Sequence, residues 1–371
     1  MAEKKISYED RLVLLLSRLT VDSFNREELS MLLSAPLDWE RVLETAIQHQ
    51  VSPFGYYQLN KLNLSNKVPL DTWDKFKNHY YSNITRNTKL WLEFSCVLKA
   101  INEAGITVIL LKGSILMEEV YRNLGLRTIS DIDILVKENE MPKVEDILLK
   151  SGYKELRDTL TGSFTEFLFS KSILPDLPLI VDMHKTVVAA KPYKIILSDL
   201  WQRAQTKSIN GQRVTFLSRE DTFLSCSLHL RKHTRRLYLK FITDIDALIN
   251  VYGQCINWDY IARMAKKNHF ISIVYFSLYI SKELLNTNIA EEILNRFKPC
   301  FLKRKLIYFC MNKQNFLRPE RWQGILLRIL LFDNPVDILF YIWKVIILEK
   351  HLAKQEYRNI IKSFFRRNSS G

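Results

Sequence analysis

Residues 106–136 constrain this chain more than any other stretch. They read as an apolar strand, a turn, an amphipathic helix and a second apolar strand that carries two acids. The first strand, Ile106 to Leu111, is short and rich in β-branched residues, as a buried strand should be. Lys112-Gly113-Ser114 follows. Gly113 permits a sharp turn and a close approach to a ligand. Ser114 reads as the N-cap of a helix from Ile115 to Asn123, whose free N–H groups form a potential anion site. The second strand is Asp131-Ile132-Asp133-Ile134-Leu135-Val136, and strand alternation puts both acids on one face. Paired carboxylates repel each other unless a cation lies between them. Oxygen donors of this kind suit Mg²⁺, which takes one or two carboxylates together with substrate phosphates.

A third acid gives the pair a chemical direction. Asp182 sits inside the apolar run Leu179-Ile180-Val181-Asp182-Met183-His184, where an unpartnered carboxylate is costly to bury. Its plainer reading is a salt bridge to an arginine. Placed on a strand beside Asp131 and Asp133, it becomes a metal ligand or a general base. Three convergent carboxylates and a helix start aimed at phosphate are the parts of a two-metal phosphoryl or nucleotidyl transfer site. Lys112 and Arg127 are the cations that such a site would turn toward phosphate. His184 shares a strand face with Asp182 and is a candidate substrate contact. His229 and His233 lie four apart on one helix face. They lack the Glu of a His-Glu-x-x-His zinc motif, so they read as structural or acceptor-binding groups. Asp244 and Asp246 read as ion-pair partners for Arg231, Arg235 or Arg236.

The order of these motifs resembles the nucleotidyltransferase superfamily that has a DNA-polymerase-β-like core. The fuller wording resembles, more closely, a bacterial family of uncharacterised nucleotidyltransferases. It comprises Leu111-Lys112-Gly113, Tyr121, Arg127, Asp131-Ile132-Asp133, Val181-Asp182-Met183-His184, then Leu228-His229-Leu230 with His233 and Asp244. The resemblance runs over about residues 40–250. It implies that Gly113 and Ser114 contact a triphosphate, that Asp131 and Asp133 bind Mg²⁺, with Mn²⁺ as the alternative, and that Asp182 is the third carboxylate. It also implies a bacterial cytoplasmic enzyme, by analogy one serving polysaccharide or natural-product assembly. Sixteen residues separate Ser114 from Asp131, more than the broad superfamily usually allows. The narrower family accommodates them as an insert between Tyr121 and Arg127.

The rest of the chain sets the frame. Only 10 of 371 residues are Gly, which argues against a loop-rich all-β fold and for much helix. Residues 1–104 read as helices, among them Tyr8 to Leu19, Asp38 to Gln50 and a long one from Asp71 to Glu103. Residues 105–217 alternate strands and helices, with a hairpin turn at Asn210-Gly211. Residues 218–371 return to helix, starting at a cap on Ser218, and their aromatic residues read as core. The expected class is α+β: a small mixed-sheet nucleotidyltransferase core between N-terminal helices and a C-terminal helical domain.

Net charge is +14, and residues 298–371 hold 15 Lys and Arg against 5 Asp and Glu. That end would attract a polyanion or an anionic membrane surface. No base-reading or stacking motif favours nucleic acid. Five scattered cysteines without a CxxC read as buried free thiols of a reducing compartment. No apolar leader or uncharged run of about 18 residues is present. The sequence therefore predicts a nucleotidyltransferase that moves NMP from an NTP to an acceptor, which is a small molecule, glycan or peptide. Two readings compete with it. One is transfer of a sugar or other activated group from a nucleotide donor by the same fold. The other is a non-catalytic polyanion- or membrane-binding protein.

Overall fold

The computed structural model describes residues 6–156, 166–174, 177–187, 197–234, 237–312, 316 and 320–343. It is an α+β protein. Five helices open the chain: α1 (Tyr8–Leu16), α2 (Ser23–Leu32), α3 (Trp39–Gln48), α4 (Ser52–Lys61) and α5 (Leu70–Glu103). Their starts follow local chemistry. Ser7, Asp22 and Asp38 each accept a hydrogen bond from a backbone N–H three residues on, and Pro53 occupies the first turn of α4. The sequence left α2 and α4 unread and carried α1 three residues too far.

A mixed sheet follows, in the order β3-β4-β5-β2-β1-β7-β6. Its strands are β1 (Ile109–Leu110), β2 (Asp131–Leu135), β3 (Lys154–Leu156), β4 (Glu166–Leu174), β5 (Leu177–His184), β6 (Gln205–Ile209) and β7 (Gln212–Phe216). Between them lie α6 (Lys112–Leu116), which widens into a π turn at Met117–Tyr121, then α7 (Met141–Lys150) and α8 (Leu197–Arg203). β1 is much shorter than the expected run from Ile106. Pro178, expected in a turn, lies within β5 opposite Ser172 of β4. Asn210 and Gly211 both have positive φ, as the hairpin between β6 and β7 requires.

The remaining described helices are α9 (Arg219–Lys232), α10 (Leu239–Tyr252), α11 (Trp258–Lys267), α12 (Ile271–Leu285), α13 (Glu291–Arg296), α14 (Phe301–Cys310) and α15 (Arg321–Leu330). Residues 335–343 are also helical, and the expected continuation to the chain end lies outside the described residues. Among the described residues no helix is long and apolar enough to cross a membrane. All five cysteines are free. Only Cys226 and Cys310 are buried, which corrects the expectation that all would be.

Two large cores result. In one, α1 to α4 and the start of α5 pack with α9 to α15, so helices from both ends of the chain share their apolar surface. The other lies under the sheet, where Ile132 and Ile134 of β2, Val136 just after it, and Val181 and Met183 of β5 meet Leu90, Phe94, Val97 and Ile101 of α5. At 34 residues, α5 is about 50 Å long and contributes to both. The opposite face of β2 and β5 is where alternation places the acids.

Candidate active site

β2 and β5 run parallel with Asp133 opposite Asp182 and Leu135 opposite His184. One strand alternation therefore gathers Asp131, Asp133, Asp182 and His184 on a single face. Asp133, Asp182 and His184 are all buried. His184 Nε2 lies 2.7 Å from Asp133 Oδ1 and 3.1 Å from Asp182 Oδ2. Lys112 Nζ donates to Asp133 Oδ1 at 2.6 Å. Burial works against the charge on Asp133, but the Lys112 ammonium and the His184 hydrogen bond outweigh it and hold that carboxyl well below the usual range. Burial likewise opposes the charges on Lys112 and His184, and the carboxylates beside them raise both above their ordinary values.

One atom in this cluster has no partner. Asp182 Oδ1 is buried without a hydrogen bond, a costly state for a carboxylate oxygen. Among the described residues Asp182 pairs with His184, where its plainer reading had an arginine. Among the described residues, Asp133, Asp182 and His184 form the set that could hold a metal ion, their ligand atoms all within 4.8 Å of one another. Two carboxylates and an imidazole with one oxygen unsatisfied fit a divalent cation. Asp131 stands half-buried beside this set and accepts a hydrogen bond from Ser130 Oγ at 2.7 Å. Burial, then the charge on Asp133, push its carboxyl upward.

The turn before α6 differs from the expected one. Lys112, not Gly113, takes the left-handed conformation, with φ +50°. That conformation is uncommon for a lysine and costs about 1–3 kcal/mol. The ion pair to Asp133 holds it there. Ser114 is not the cap. The helix already starts at Lys112, and Ser114 Oγ, buried, donates to the Leu111 carbonyl. The position where Gly113 lacks a side chain faces the Arg127 guanidinium, 3.5 Å away.

Arg127, expected at the phosphates, spends its guanidinium inside the protein. Nε and Nη2 donate to both oxygens of Asp244 on α10, and Nη1 donates to the Thr128 carbonyl. Tyr121 Oη donates to the same Asp244 at 2.8 Å. Asp246 faces Arg18 and accepts from Thr287. Both acids are thus ion-pair partners, as expected, here of Arg127 and Arg18, far away in the chain; of the arginines expected for them, Arg235 and Arg236 lie outside the described residues. The insert between Tyr121 and Arg127 is also pinned to α5. Asn83 donates to the Gly125 carbonyl, and Asn87 to those of Leu124 and Arg127. The extra length therefore links the sheet to both helical flanks.

His229 on α9 and His233 at its C-cap lie near the cluster. Their ring centres are 4.4 Å apart, and each lies 4.8 Å from that of Phe241. Burial, then the Lys112 charge, force His229 well below its ordinary value. Burial, then Lys232, hold His233 to about 4. Both rings are therefore neutral near pH 7. Lys240 was not foreseen, although a lysine inside Leu239-Lys240-Phe241-Ile242 was a signal. It is buried, donates to Gln50 Oε1 and lies over the Phe241 ring. Burial, then Arg127, lower it from 10.5 to about 8. Below pH 8 both folded and unfolded chains carry this proton, so the cost of the buried charge is felt in full. Between 8 and 10.5 the folded chain gives up a proton that the unfolded chain keeps, and stability rises. Comparing denaturant midpoints of wild type and Lys240→Met across pH 7–10 should show that rise in the wild type alone.

A family model matches residues 35–286, more than half of the chain. The chain belongs to the uncharacterised nucleotidyltransferase family. This nucleotidyltransferase-family protein is also similar to a solved structure, an antigenic nucleotidyltransferase-like protein from Paracoccidioides brasiliensis. That match is 15% identical, covers 57% of this chain and 98% of the other, and has a TM-score of 0.35. A search of curated proteins finds no match.

Proposed function

We propose that this protein is a divalent-metal-dependent nucleotidyltransferase that moves NMP from an NTP to an acceptor hydroxyl. The observation that carries the reading is the unsatisfied Asp182 Oδ1, buried beside Asp133 and His184 on adjacent parallel strands. Asp133, Asp182 and His184 would hold one divalent ion, and Asp131 at the edge of the set would share a second. The imidazole makes Mn²⁺ as suitable as Mg²⁺. Bound there, divalent ions supply charge neutralisation for the triphosphate and acidify the attacking hydroxyl.

The chain's own groups do the rest. Lys112 donates to a triphosphate oxygen in exchange for Asp133. The backbone at Gly113 and Ser114 approaches the phosphates, and Arg127 holds that turn from below. Asp131 receives the acceptor's proton at a carboxylate oxygen. The acceptor oxygen bonds to the α-phosphorus, the α–β bridging bond breaks, and pyrophosphate leaves. His229 and His233, both neutral, line the acceptor side.

Calorimetry of the full chain with each NTP, with and without Mg²⁺ or Mn²⁺, tests the binding step. Metal-dependent binding is expected, and its absence for all four NTPs would sink the proposal. A pyrophosphate-release screen over acceptors, with UDP- and GDP-sugars in parallel, separates NMP transfer from sugar transfer. Asp131→Asn should abolish turnover and leave the melting curve close to wild type, because this half-buried carboxylate supports no core contact.

A further inference from the structure

The C-terminal helices turn the wrong side outward. On α14 the exposed residues are Phe301, Leu302, Lys305, Tyr308 and Phe309. At helical spacing they form one stripe, so the solvent face of this helix is apolar and aromatic except for a single lysine. Residues 335–343 repeat the pattern, exposing Val336, Leu339, Phe340, Ile342 and Trp343. The two segments are tied together, since Lys303 Nζ on α14 donates to the Phe332 carbonyl and to Asp333. Trp322 of α15 joins them, its ring centre 5.8 Å from that of Phe309. Half of the exposed large apolar side chains among the described residues fall between 301 and 343. Clustering of this kind marks an interaction face. It also corrects the expectation that these aromatics are core.

Charge narrows the partner. Lys305 Nζ lies 4.6 Å from the centre of the Phe301 ring, and the Arg328 guanidinium lies 4.8 Å from that of Tyr341. Lys305 is exposed, so its charge lies at the surface of the stripe over the Phe301 ring, while Arg328 also donates to the Lys232 carbonyl. Residues 298–371 carry 15 Lys and Arg against 5 Asp and Glu. A second copy of the chain would bring a like-charged surface onto this face. The chain's own end would do so too, because residues 344–371 hold 7 Lys and Arg and 2 Glu. An anionic bilayer offers both what the apolar stripe needs and what the cations need. Tyr308, Trp322 and Trp343, all exposed, are of the residue types that settle at a headgroup boundary.

We propose that α14 and residues 335–343 dock this protein on an anionic lipid surface. The test is flotation of the full chain with vesicles of phosphatidylcholine alone and of phosphatidylcholine with phosphatidylglycerol. Wild type should float with the anionic vesicles only and detach as salt rises. The double variant Phe309→Asp, Leu339→Asp should bind about tenfold more weakly or less, with an unchanged circular dichroism spectrum because both side chains are exposed. Lys305→Glu keeps the stripe and should also weaken binding, whereas Asp133→Asn should float like wild type. Failure of wild type to bind, equal binding to both vesicles, or full binding by the double variant would each overturn the proposal. So would a dimer in sedimentation that the double variant dissociates, which would assign the face to a second copy. Cross-linking from position 309 to residues beyond 343 without vesicles would assign it to the chain's own end.

Discussion

Asp133→Asn is expected to lower metal-dependent turnover by about a thousandfold or more and to leave a folded protein. Asp133 is where the site's charges meet. It accepts from Lys112 and from His184, and it faces Asp182 across the β2–β5 pair. Asparagine keeps the shape and one acceptor oxygen but removes the charge. The cluster then has one buried carboxylate beside His184 in place of two, too little to hold a divalent ion against the neighbouring ammonium. Lys112 loses its principal counter-charge and its titration moves down, toward the value that burial alone dictates. Calorimetric titration with Mn²⁺ reads the loss of the ion, and pyrophosphate release reads the loss of turnover. Wild-type turnover in this variant would reduce Asp133 to a structural ion pair and remove the catalytic reading of the cluster.

The largest loss of stability should come from Asp244→Ala. Arg127 and Asp244 are both buried, and their paired hydrogen bonds run between the segment before β2 and α10. Removing one member of such a pair strands the other charge, at about 3–5 kcal/mol. Tyr121 also loses its acceptor. The double variant Arg127→Met, Asp244→Leu should recover much of that loss, since an apolar pair of similar volume avoids the buried charge. It should not recover activity, because the guanidinium under Gly113 is gone. Urea unfolding of Arg127→Met, Asp244→Leu and the double variant completes the cycle. Recovery of both stability and turnover would show that Arg127 has no part in placing the turn.

How far the sequence discloses this molecule depends on where the determining contact lies. β2 and β5 were legible because acids inside β-branched apolar runs have few physical explanations. The 34-residue α5 was legible because its periodicity is long, and its expected start missed by one residue. The edge strand β6, Gln205 to Ile209, reads as polar because it pairs only with β7. The turn at Lys112 was misplaced onto Gly113 because the lysine's left-handed φ is paid for by an ion pair with Asp133. The same limit hid the Arg127–Asp244 bond, whose members lie 117 residues apart. His184 was seen to share a face with Asp182, but only the register of β5 on β2 brings its ring against Asp133.

The core shared by the two ends of the chain has a consequence for how the protein is made. His49 Nδ1 accepts from the Leu239 amide, and Asn286 donates to Asn25. At synthesis rates of about 5–20 residues per second, the ribosome takes roughly 10–40 s to make the 190 residues between His49 and Leu239. Through that interval the part of the α1 to α4 surface that α9 to α15 cover in the folded protein has no partner. A nascent chain in that state should bind chaperones that cover exposed apolar surface, and slowing translation after residue 100 should lengthen the time it spends bound to them.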